Sequence, residues 1–102
     1  MHHKVYAEVM LFMLPYHSKG KKSTYKKKQL RRLIAILDDI FQHENMSDLN
    51  AIGRRQLIGY WSRTESEKHE TRRAKYTILK MFFQLYNPKV TVPKPKKTDY
   101  CD

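Results

Sequence analysis

The strongest constraint in this chain is a run of apolar residues at helical spacing. Leu30, Leu33, Ile34, Leu37, Ile40 and Phe41 recur so that each has a partner three or four positions away, which gathers them on one face of an α-helix. A strand, with its period of two, would scatter the same residues over both of its faces. On the helix, Thr24, Lys28, Arg31, Arg32 and Ala35 fall roughly opposite the stripe. One side of this element therefore requires a core, and the other is cationic. Ser23 or Thr24 offers a side-chain oxygen for an orphan backbone N–H, and the spacing predicts a helix over 23–43. Asp38 and Asp39 stand toward its C-terminal end, where the helix dipole disfavours acids.

Three more segments carry the same kind of signal. Val5, Val9, Phe12 and Met13 share a face and predict a helix over 3–14, which Pro15 ends. Tyr16 to Lys22 reads as a loop. Ser47 or Asp48 can cap a short segment whose apolar contacts are Leu49 and Ile52. Leu57, Ile58, Tyr60 and Trp61 predict a helix over 54–63, with edges weakened by Gly53 and Gly59. Ala74, Ile78, Leu79, Phe82, Phe83, Leu85 and Tyr86 give a broad apolar face to a helix over 67–86, with Arg73, Thr77, Lys80 and Gln84 on its other side. Asn87-Pro88 stops it, because the residue before proline avoids the α region. No strand pattern competes, and the expected architecture is all-α: a compact helical bundle over residues 1–88. Residues 89–102, with Pro93, Pro95 and several lysines, read as a flexible or disordered basic tail.

Composition narrows the function. The 102 residues suit one domain and leave no room for a large catalytic α/β fold. Lys and Arg number 21 against 10 Asp and Glu, a formal charge of +11, which suggests a polyanionic partner such as DNA or RNA. From Val9 to Leu37 there is no acid, while Lys19, Lys21, Lys22, Lys26, Lys27, Lys28, Arg31 and Arg32 crowd together. Asp38, Asp39, Glu44 and Asp48 then form an acidic stretch, and a second basic block runs from Arg54 to Lys80. Basic blocks split by an acidic one describe an oriented binding face better than a general solubility device. The single cysteine, Cys101, excludes an internal disulfide and a Cys-based zinc site. No apolar run approaches a membrane span, and no secretory signal is expected.

The order and spacing of these pieces, from Thr24 to Lys96, resemble the N-terminal core-binding domain of tyrosine recombinases, the phage integrases. The residues that carry the resemblance are Ser23-Thr24 with Leu30, Leu33, Leu37 and Phe41; the stretch Met46–Ile52 leading into Leu57-Ile58-Gly59-Tyr60-Trp61; the run Glu70–Phe83 with its Thr, basic pair and double Phe; and the passage Asn87-Pro88 to Pro93-Lys94-Pro95. The resemblance implies a four-helix SAM-like bundle, with 3–14 as an additional N-terminal helix. It implies one half of a clamp on double-stranded DNA, with two helices across the major groove. The family's catalytic Arg, His, Arg and Tyr constellation has no counterpart here, so strand cleavage is not expected, and no cofactor is implied. A cytoplasmic protein of a bacterium, phage or mobile element is the matching setting. A catalytic recombinase domain or another copy of the chain are the matching protein partners.

Lys27, Lys28, Arg31 and Arg32 rank first as DNA contacts, with Lys21 and Lys22 just ahead of their helix, where phosphates bind readily. Lys68, Thr71, Arg72 and Lys75 open the last helix, the other DNA-facing element of the resembled fold, although Thr71 could equally be structural. Lys tends to hold phosphate as a point charge, whereas Arg can also read guanine edges. Trp61 and Tyr60 could stack on bases, but their spacing beside Leu57 favours a core role, as it does for Phe82 and Phe83. The five histidines are dispersed and make no metal motif. Asp38 and Asp39 point about 100° apart and make a poor catalytic pair. Tyr100 lacks the groups that would activate it as a nucleophile. Two other readings remain: a protein-interaction or oligomerisation module using the apolar surfaces of Val5–Leu14 and Ile78–Tyr86, and an RNA-binding helical domain.

Overall fold

The computed structural model describes residues 3–18 and 23–95. It is all-α, with no strand among the described residues. In chain order the helices are α1 (His3–Phe12), α2 (Leu14–Ser18), α3 (Ser23–His43), α4 (Arg54–Arg63) and α5 (His69–Tyr86), with a single 3-10 turn at Leu49–Ala51 between α3 and α4. The long helix α3 is the axis of the bundle: α2, α4 and α5 all pack on it, and α1 leans on α2 and α5. None of these helices is long and apolar enough to cross a membrane.

The apolar stripe of α3 meets the core as its period requires. Leu33, Ile36, Leu37 and Ile40 are fully buried. Ile36 takes a central place that the spacing gave to Ile34, which is only partly buried and borders α1. Ser23 and Thr24 both lie within the helix. The far end closes on Asn45, which adopts a left-handed φ of 52°. The Met46 N–H then reaches back to the Phe41 carbonyl at 3.0 Å. This is the six-to-one bond of a Schellman ending, and asparagine tolerates the conformation it requires.

The N-terminal segment departs from the expected single helix over 3–14. The chain bends at Met13, whose side chain is fully buried, and resumes as α2 with Pro15 as its second residue. Proline there loses nothing, since N–H groups of a first turn have no intrahelical acceptor. Tyr16 to Ser18, expected in a loop, are therefore helical. Phe12 stands edge-on to Tyr86 at 4.8 Å, Tyr86 stacks on Phe82 at 5.3 Å, and the Tyr86 hydroxyl donates to Asn50 Oδ1 at 2.7 Å. One aromatic column thus joins α1, α5 and the 3-10 turn. That turn is capped by Asp48, whose carboxylate accepts the Asn50 N–H at 3.0 Å.

Helix α4 is held to α3 by charge. Arg63 donates through Nε and Nη2 to Asp39 Oδ1 at 2.9 and 2.7 Å, and through Nη1 to Glu44 Oε2 at 3.3 Å. Asp39, unfavourable where it sits on its own helix, gains a partner on the next one. Gly59 makes room for the pair, since a Cβ there would stand 3.0 Å from Glu44 Oε2. Past α5, residues 89–95 are non-helical as expected but are not loose. Val92 is buried, and Trp61 Nε1 donates to the Pro93 carbonyl at 2.8 Å. The remainder of the expected tail, with Tyr100 and Cys101, lies outside the described residues.

Candidate nucleic-acid interface

The first half of α3 presents its cations outward. Lys27, Lys28 and Arg31 are exposed, with exposed Thr24 and Ala35 on the same side. Among the described residues none of the three joins an ion pair. Residues three and four apart on a helix carry Cβ atoms about 5–6 Å from one another, so Lys27, Lys28 and Arg31 form one compact cationic cluster. Lys26 lies over the Tyr16 ring, 5.3 Å from its centre, which ties the α3 face to α2.

Arg32 is partly withdrawn, and Gln29 is the reason. Gln29 is 1% exposed, and its amide donates to the Ala74 carbonyl of α5 at 3.2 Å. A buried amide also needs a donor for its oxygen, and Arg32 Nη1 supplies one at 2.8 Å. Arg32 thus completes a polar bridge between α3 and α5, while its half-exposed guanidinium keeps other donors for a ligand.

Helix α5 divides its bases differently from the sequence expectation. Lys68 is exposed immediately before the helix. A cation gains nothing from a helix N-terminus, so Lys68 is not explained by helix stability. Thr71 is half-buried. Arg72, expected to face DNA, is 4% exposed; its Nη2 donates to the Trp61 carbonyl at 2.7 Å, and its guanidinium lies 5.6 Å from the Trp61 ring centre. It locks α5 to α4 and cannot reach a phosphate in this conformation.

Lys75 is also engaged internally. Its ammonium donates to Tyr60 OH at 2.7 Å and to the two Glu67 oxygens at 2.8 and 2.9 Å. Burial alone would push the Lys75 pKa down, but the hydrogen bonds and charges of Glu67 and Tyr60 outweigh it and the pKa stands above its ordinary value. Burial pushes the Tyr60 hydroxyl up as well, against the opposing pull of Lys75. The group is a charge-neutralised strut, since Glu67 cancels the cation that would otherwise face a phosphate.

Arg73 takes the outward place that the sequence reading assigned to Arg72. It is exposed, with Nη2 3.3 Å from His69 Nε2, and it directly precedes the Ala74 that Gln29 holds. The signal was legible. Arg72 and Lys75 prolong the inward stripe of Leu79, Phe82 and the partly buried Tyr86 at alternating intervals of three and four, whereas Arg73 continues the polar row of Thr77, Lys80 and Gln84. Lys21 and Lys22 lie outside the described residues. Tyr60 and Trp61 are buried at 4% and 5% exposure, as their spacing indicated, and offer no stacking platform.

A groove of about 450 Å³ runs beside the cationic cluster, between α1 and α3. Tyr6, Met10, Leu30 and Ile34 give it apolar walls, Lys27 and Arg31 border it, and Asp38 also lines it. A second hollow shares Tyr6, Ile34 and Asp38 and adds His3.

No family model matches the chain, and neither a curated protein nor a solved structure shows significant similarity to it. Function is therefore read from the residues themselves.

Proposed function

We propose that this protein is a duplex-DNA-binding module that grips phosphates through the first half of α3, assisted by Lys68 and Arg73 at the start of α5, and does not cut the strand it holds. The observation that carries the reading is the exposed cluster of Lys27, Lys28 and Arg31, which joins no ion pair among the described residues, on a stretch of helix with no acid. A polyanion is the partner that such a cluster suits. Most of these contacts position the duplex and leave sequence to be read elsewhere. The resemblance to the core-binding domain of tyrosine recombinases supports the same reading. It suggests a catalytic recombinase domain or a second copy as the protein partner, in the cytoplasm of a bacterium or its mobile elements.

Binding of a labelled duplex at increasing salt tests the proposal. Each neutralised phosphate contributes about −0.9 to the slope of log K against log salt. Four to five contacts therefore give a slope of about −4. Absence of binding at low salt, or binding that ignores salt, overturns the reading. A duplex RNA competitor of the same sequence separates DNA from RNA: displacement at equal concentration moves the assignment to RNA.

A further inference from the structure

We propose that Gln29 is a positioning residue for the DNA grip, holding the Arg32 guanidinium at the α3–α5 seam so that its open edge receives one backbone phosphate through two parallel hydrogen bonds. The inference rests on the nucleic-acid reading above and adds to it a contact of a different kind from those of Lys27, Lys28 and Arg31.

The register of Gln29 is the first observation. Gln29, Leu33, Ile36 and Ile40 follow one another at intervals of four, three and four, and each is 1% exposed or less. An amide thus occupies a place in the packing stripe of α3 where an aliphatic side chain would have no polar group to satisfy. Burial of an amide is costly unless both of its ends are bonded. The Ala74 carbonyl, which accepts the Gln29 N–H at 3.2 Å, does not require it. That carbonyl lies inside α5, where the helix supplies an N–H four residues on. Nor does Arg32 require an acceptor, because water reaches its half-exposed guanidinium. What the buried amide adds is direction. With its nitrogen held on α5, its oxygen fixes Arg32 Nη1 at 2.8 Å.

The second observation is what this arrangement leaves of Arg32. No carboxylate pairs with it among the described residues. Its Nε and Nη2 make no hydrogen bond among those residues. These two nitrogens carry the parallel N–H groups of one guanidinium edge, which matches two oxygens of a phosphate or a carboxylate. The neighbours decide between them. Lys28 stands one turn before Arg32 and Arg31 adjoins it, both exposed, and a run of cations without an acid suits a phosphate backbone better than a single carboxylate. The exposed cations need only proximity, since a mobile side chain finds a phosphate from many directions. A two-pronged contact needs its fork aimed beforehand, and order established on folding is not lost again on binding.

The experiment is a double-mutant cycle read by titration of a labelled duplex at several salt concentrations, with the folding of each variant checked by its urea midpoint. Arg32→Ala is expected to weaken binding about tenfold and to reduce the magnitude of the salt slope by about 0.9. Gln29→Met nearly conserves volume and keeps every charge, and is expected to weaken binding about fivefold at an unchanged slope. In the Arg32→Ala background the same change at Gln29 should have no further effect, because the fork it aims is gone. In an Arg31→Ala background the loss should persist in full. An equal loss from Gln29→Met with and without Arg32 overturns the proposal and leaves Gln29 a structural residue, and no loss in either background overturns it as well. Should Gln29→Met fail to fold, Arg32→Lys decides, since it keeps the charge and loses the fork. Binding about fivefold weaker at the same slope is then expected, and full affinity overturns the proposal. Failure of the unmodified protein to bind the duplex at low salt overturns the nucleic-acid reading too, whereas salt-dependent binding with an uncoupled cycle overturns the positioning role alone.

Discussion

The first half of α3 and the contact between α4 and α5 use the same residue types for opposite ends. Lys27, Lys28 and Arg31 stand in solvent without an ion-pair partner among the described residues. Arg72 and Lys75 are drawn inward, against the Trp61 carbonyl and ring in one case and Tyr60 and Glu67 in the other. Both groups are made of lysine and arginine alone. The difference is register: Lys28 and Arg31 lie roughly opposite the apolar stripe of α3 with Lys27 at its edge, whereas Arg72 and Lys75 prolong the stripe of α5. A basic residue on a helix is thus available to a ligand only when the face that carries it is not the face that packs.

The comparison can be broken most forcefully at Arg72. Arg72→Ala removes a charged hydrogen bond, a cation–π contact and buried volume together, and is expected to cost about 3 kcal/mol in a urea titration. Its salt slope for DNA should match that of the unmodified protein under conditions where both are folded. A flattened slope with stability retained would place Arg72 on the DNA side after all.

Gln29→Ala comes next, at about 2 kcal/mol. It should also free Arg32, so amide exchange at the α3–α5 contact is expected to accelerate. Unchanged protection around Ala74 would deny the bridge its role.

A smaller effect depends on pH. Lys75 and Tyr60 both have pKa values raised in the folded protein above their ordinary 10.5 and 10.0. The folded state therefore holds these protons more tightly than the unfolded chain. Their contribution is complete below the unfolded values and is lost as pH rises through the folded ones. The stability gap between the unmodified protein and Lys75→Met should be constant from pH 7 to about 9 and should narrow by pH 11. A gap that widens at high pH contradicts the strut.

The smallest stability effect belongs to the other region. Changing Lys27, Lys28 and Arg31 together to Ala should alter the urea midpoint by no more than about 0.5 kcal/mol. The same change should reduce the magnitude of the salt slope by about 2.7. Retained affinity at an unchanged slope would remove α3 from the interface.

Much of the architecture was legible before any coordinates. The bounds 23–43 and 54–63 coincide with α3 and α4, and 67–86 differs from α5 only at its start. Glu67 remains outside the helix, where it meets Lys75. The failures share a cause, which is that an inward or outward direction depends on neighbours distant in sequence. Pro15 by itself signals a stop, because nothing local says that Met13 turns the chain into the core. The composition of residues 89–102 predicts a loose tail, yet Val92 is buried and Trp61, more than a helix away, provides an indole N–H to the Pro93 carbonyl.

Periodicity and charge by themselves determined that this chain forms amphipathic helices around one core and carries an acid-free cationic stretch, because both properties follow from the spacing of residues along a helix. Only the tertiary structure decided which cations remain exposed. Burial of Arg72 required the Trp61 carbonyl and ring beside it, and neutralisation of Lys75 required Glu67 and Tyr60 within hydrogen-bonding distance. Those partners come from other elements, and a buried charge is tolerated only where such partners are supplied.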